Sequence, residues 1–134
     1  MRFRRMKRAQ PKPPVATERA VQREIVRDLR KVGLRVIHVP NGAHMAGDSQ
    51  ARARQWGAMV GDGAIPGFPD LLILTQQSRA GFLEVKRPGT LVATDHSKRQ
   101  DDCRASLARD GFPVALVQSL DDALAAVRSW GFIA

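Results

Sequence analysis

The chain has 134 residues, enough for one domain with its own core, and a formal net charge of +9 at pH 7. Its single cysteine excludes an intrachain disulfide, and no apolar run approaches the roughly 20 residues of a membrane span. The basic N-terminus lacks the apolar region of a secretory signal, and the excess of cations favours a polyanionic partner.

Residues 1–16, MRFRRMKRAQPKPPVA, carry Arg2, Arg4, Arg5, Lys7, Arg8 and Lys12 with no acid, and three prolines. That is six of the nine net charges, which leaves +3 for residues 17–134. The composition predicts a tail that is disordered when free, whether it touches nucleic acid or only solubilises the chain. Residues 17–134 are expected to form one domain. Thr17 is a candidate N-cap for a first helix running to about Lys31, before Gly33. At helical spacing Val21, Ile25, Leu29 and Val32 form one stripe. Glu18 falls near the middle of that arc, so it is expected to point inward from the first turn.

LRVIHVP (34–40) reads as a strand rich in β-branched residues and stopped by Pro40. NGAHMAGD (41–48) is a loop, and a shorter helix is expected over about Ser49 to Met59. GDGAIPGFP (61–69), with three glycines and two prolines, reads as an ordered turn. Strands follow at about 70–75 and 81–86, joined by TQQSRA. A helix is expected from Ser97, as its cap, to about Asp110, with Gly111 at its C′ position. FPVALVQ (112–118) reads as a buried strand. SLDDALAAVRSW (119–130) reads as the last helix, opened by Ser119 and Asp122 in the manner of a capping box. The order α-β-(α)-β-β-α-β-α predicts an α/β sandwich with a mixed central sheet flanked by helices.

Two of these strands carry charges inside apolar surroundings. Burying a charge costs several kcal/mol unless it is paired or holds a metal. Glu84 and Lys86, two apart on a strand, share one face, and Leu83 and Val85 take the other. Asp70 opens the neighbouring strand. Paired near the hairpin, the strands would bring Asp70, Glu84 and Lys86 together at the sheet end away from TQQSRA. Converging carboxylates there suit Mg²⁺, which keeps several waters for a substrate phosphate. A fixed ammonium beside them suits the negative charge that grows during phosphodiester cleavage. Glu18 would add a third carboxylate, directly or through water. Alone, Glu-x-Lys is a common surface pair; the spacing to Pro69-Asp70 between two apolar strands gives it weight.

IPGFPD (65–70), FLEVK (82–86) and Ser97-x-x-Gln100 at a helix start, in this order, resemble the VRR-NUC group of PD-(D/E)xK nucleases. VPNG (39–42) and the opening helix TERAVQREIVRDL are similar to that group too. The resemblance covers about residues 17–132. It implies a restriction-endonuclease-like fold. It implies that Asp70, Glu84 and the Val85 carbonyl bind Mg²⁺ or Mn²⁺, with Glu18 as the helix-1 acid. It makes Lys86 the catalytic lysine and Gln100 the glutamine of the following helix. The helix face agrees on Gln100, which lies with Cys103 and Leu107 and so points inward. HSKRQ departs from the family's frequent Ser-Pro before the glutamine. It further implies a DNA endonuclease and hydrolase, as a homodimer acting on branched DNA such as four-way (Holliday) junctions. A phage-encoded or bacterial origin and a cytoplasmic location are expected, with no membrane and no organic cofactor.

Arg52, Arg54 and Arg87 are candidate phosphate contacts, or simply a solvated basic face. Lys98, Arg99, Asn41 and His44 are further candidates for DNA contact, and His96 lies near them. His38 reads as a satisfied core or surface histidine. Cys103 with His96 lacks the further ligands of a zinc site and reads as a small core residue. Trp56 and Trp130 read as packing anchors. Two rivals stand beside the nuclease: a catalytically inactive nucleic-acid-binding module on the same fold, and a sequence-specific restriction-type enzyme. No separate recognition domain is visible for the latter.

Overall fold

The computed structural model describes residues 11–40, 45–89 and 95–134. Most of the basic tail, together with Asn41 and His44, lies outside the described residues. Four strands and four helices follow in the expected order: α1 (Glu18–Lys31), β1 (Arg35–His38), α2 (Ser49–Gly61), β2 (Leu71–Leu74), β3 (Ala80–Val85), α3 (Asp95–Arg109), β4 (Val114–Val117) and α4 (Leu120–Ser129).

The strands form one sheet in the order β1-β2-β3-β4. β1, β2 and β3 pair antiparallel, as short connections allow, and β4 returns parallel to β3 after the α3 crossover. The sheet is therefore mixed. Leu71 stands opposite Leu83 and Ile73 opposite Gly81, so these residues share a face with Val85, Val36 and Val117. Against that face α1 lays Val21, Ile25 and Leu29, and α4 lays Ala123 and Val127. This is the core. Gly81 belongs to the same face because a Cβ there would stand 2.7 Å from the Trp130 ring.

The other face carries Leu72, Phe82 and Glu84. Phe82 meets Phe68 and Phe112 edge-on, with ring centroids 5.4 and 5.7 Å apart. α3 covers this face.

Local signals set the helix ends. The Thr17 side chain accepts the Ala20 N–H, and the Ser119 side chain accepts the Asp122 N–H. The reciprocal bond of that second cap comes from the Gln118 N–H to Asp122, one residue before the expected donor. α3 departs from expectation. It begins at Asp95, so Ser97 sits inside the first turn and not at the cap. α2 buries no residue. The described residues hold no helix long and apolar enough to cross a membrane.

Candidate active site

The register that builds the core also builds the site. Continuing the β2–β3 ladder by one residue from Leu71↔Leu83 sets Asp70 opposite Glu84, on the face away from α1 and α4. Asp70 is fixed by its own strand pair. Its Oδ2 accepts the Val85 N–H at 2.8 Å, and its carbonyl accepts the Val39 N–H at 2.8 Å. Glu84 is fully buried. Its Oε1 accepts Gln100 Nε2 at 2.5 Å and lies 3.8 Å from Lys86 Nζ. Its Oε2 is buried and has no hydrogen-bond partner among the described residues.

A fully buried carboxylate with one oxygen unpartnered is a costly arrangement. Burial pushes the Glu84 carboxyl up to about 8. The neighbouring Asp70 carboxylate adds to the rise through its charge, while Lys86 and Arg104 oppose it. Two carboxylates held this close, one with an oxygen free, fit a small divalent cation that takes oxygen ligands.

α3 is aligned over the pair by a close approach. Gly67 has φ +77°, and a Cβ there would stand 2.5 Å from the Arg99 carbonyl carbon and 2.6 Å from the Gln100 nitrogen. Only glycine lets the turn before Asp70 rest on the α3 backbone at Gln100. One turn on from Gln100, Arg104 acts on Glu84 by its charge and pairs with Asp101. Sequence reading missed Arg104. The signal was present, since four residues after Gln100 is the same helix face.

Glu18 requires a correction. It is exposed in the first turn of α1 and does not point inward. The buried stripe starts at Val21. Nor do three acids gather at the site: among the described residues no group of three or more His, Cys, Asp or Glu side chains forms a metal cluster.

No protein-family model matches the sequence, and no curated protein matches it. A solved structure described as a "VRR_NUC domain protein" superposes with a TM-score of 0.63, covering 88% of this chain and 90% of the other at 19% identity. The chain has the VRR-NUC fold. The α/β sandwich with a mixed sheet expected from the sequence is thus the fold that the two chains share.

On this VRR-NUC fold the remaining candidates fall as follows. Lys98 and Arg99 are exposed beside Gln100, Arg87 is exposed one residue after Lys86, and Arg52 and Arg54 are exposed on α2. The side chain of His96 lies outside the described residues. His38 is exposed on the edge strand β1. Cys103 is half-buried, and burial pushes its thiol up. Trp130 packs on Phe132 with ring centroids 5.3 Å apart, as an anchor does.

Proposed function

We propose that this protein is a metal-dependent DNA endonuclease that hydrolyses phosphodiester bonds, selective for branched DNA such as four-way junctions and active as a homodimer. The observation that carries the reading is the pairing of Asp70 with the buried Glu84, whose Oε2 has no partner, beside Lys86. Binding alone requires no such trio.

Asp70 and Glu84 hold Mg²⁺ or Mn²⁺, with the Val85 carbonyl as a further ligand by the family resemblance. The bound ion supplies Lewis acidity toward a phosphoryl oxygen and lowers the pKa of water in its shell. Gln100 fixes the Glu84 carboxylate by its hydrogen bond to Oε1, which would leave Oε2 available to a cation. Lys86 keeps an ammonium beside the carboxylates, where negative charge grows on the phosphate as water displaces the ester oxygen in line. Glu18, exposed at the same end of α1, serves at most through water. Lys98, Arg99, Arg87, Arg52 and Arg54 offer exposed cations to the DNA backbone, as would Asn41 and His44. Two sites related by a dimer axis would make paired cuts.

The test is incubation with labelled duplex, single-stranded, flap and four-way-junction DNA in Mg²⁺, Mn²⁺ or EDTA. Cutting is expected only with metal, strongest on the junction. Asp70→Ala should abolish it, and Lys86→Ala should slow it by about 10²–10³-fold, the usual loss for a preorganised charge. Salt-sensitive binding with no cutting, unchanged in both variants, would leave a binding module and sink the enzyme reading. Sedimentation velocity at micromolar concentration tests the dimer.

A further inference from the structure

α1 has two unlike long faces. At about 100° per residue, Val21, Ile25 and Leu29 form its buried stripe, while Arg19, Arg23, Arg27 and Arg30 fall on the exposed side within an arc of about 80°. No acid falls within that arc. Glu24 and Asp28 lie to its flank, where Asp28 meets Arg27 at 2.9 Å and Lys31 at 3.8 Å. Arg30 Nη2 donates to the Val36 carbonyl at 2.8 Å, which ties the end of the row to β1. Among the described residues Arg19 and Arg23 have no ion-pair or hydrogen-bond partner. Two shallow depressions flank the row and share Arg23 and Arg27.

The row has a direction. β1 runs from Arg35, opposite Leu74 near the hairpin turn, to His38, opposite Leu71 at the carboxylate end. The turn at 32–34 reverses the chain, so α1 runs the other way and starts at the carboxylate end. Arg19 therefore stands at the end of the sheet where Asp70 and Glu84 stand, and the row leads away from it. From Arg19 to Arg30 it spans about 17 Å, close to five base pairs of duplex. Yet α1 packs on the opposite face of the sheet from the carboxylates. A straight duplex laid across Asp70 and Glu84 stays on the α3 side. Only a helix that turns at the sheet end reaches the arginine row.

We propose that the arginine face of α1 is a second nucleic-acid surface, holding a duplex arm of a branched substrate as that arm leaves the carboxylate site. Arginine suits the task because its planar fork binds phosphate oxygens in pairs. The assignment of which arm is held rests on the nuclease reading; binding to the row does not, so binding is measured without cutting.

The experiment compares R19Q/R23Q with R109Q/R128Q, which removes two exposed arginines from the ends of α3 and α4. Glutamine is a good helix former, so α1 is kept, and thermal melts check this. Fluorescence anisotropy in EDTA follows binding of a labelled four-way junction and a linear duplex of equal length at several salt concentrations. For R19Q/R23Q the slope of log K against log salt should fall by about two on the junction, about one per phosphate contact. The change should be smaller on the linear duplex and smaller in R109Q/R128Q. Equal slopes for the two variants would overturn the surface, and equal losses on junction and duplex would overturn the second arm. A polyglutamate probe that binds wild type as tightly as the junction does would overturn nucleic acid as the occupant. Cutting by wild type in Mg²⁺ is scored separately, so failure of the nuclease reading stays distinguishable.

Discussion

At the scale of single residues, Glu84 is the most revealing. A carboxylate at 0% exposure in a strand of apolar neighbours opposes folding whenever it is ionised. Its carboxyl is raised from an ordinary 4.5 to about 8, first by burial and then by Asp70. The folded chain thus binds this proton more tightly than the unfolded chain. Stability is full below about pH 4.5 and is lost as pH rises toward 8. In EDTA the melting temperature of the wild type should fall over that range relative to Glu84→Gln, which carries no titrating group there. Parallel curves for the two proteins would show that Glu84 is not held this way. Gln100 and Arg104 act on the same carboxylate, one by hydrogen bond and one by charge. Gln100→Ala should weaken metal affinity by about 10–100-fold, measured by Mn²⁺ titration, as loss of an outer partner does.

At the scale of elements, the site is a meeting of two strand ends with one helix. The ladder sets Asp70 against Glu84, and the Gly67 approach sets α3 over both. Gly67→Ala introduces a methyl where the Arg99–Gln100 peptide already sits, at a φ of +77°. Overpacking of this kind costs about 1–3 kcal/mol. A left-handed conformation adds about 1–2 kcal/mol for any residue with a Cβ. Urea unfolding should show a destabilisation of about that sum, and Mn²⁺ affinity should drop with it because Gln100 moves off Glu84. Destabilisation with unchanged affinity would separate the turn from the site. α2 is a different kind of element, with no buried residue and with Arg52 and Arg54 exposed. Its helix rests on the Asp48 cap, whose side chain accepts the Ala51 N–H at 2.8 Å, more than on packing.

At the scale of the whole molecule, the two faces of the sheet have divided the work. The α1/α4 face holds the apolar core and supplies cohesion; the α3 face mixes an aromatic patch with the charged site. A cation that binds only the folded chain should stabilise it by mass action, by about 2.7 kcal/mol at a hundred times its dissociation constant. For a domain of this size that is a rise of several degrees. Differential scanning fluorimetry with Mg²⁺ or Mn²⁺ should show the rise in wild type and not in Asp70→Asn. A rise of equal size in both would place the ion elsewhere.

Much of this was legible in the sequence because it depends on neighbours along the chain. Thr17, Ser119 and Gly111 mark helix ends through bonds spanning three or four residues, and the eight elements follow from such signals and from periodicity. The alternation around Glu84 and Lys86 fixed their shared face, since side chains in a strand alternate whatever the partner. Three things required the tertiary structure. Glu18 is exposed although it shares the helical phase of Val21, Ile25 and Leu29, and phase alone does not say how far along a helix the packing extends. The role of Gly67 depends on a helix some thirty residues away. Arg104 acts on Glu84 by charge only because α3 crosses that particular face. In each case the deciding contact joins segments distant in sequence, and no local propensity encodes the distance between them.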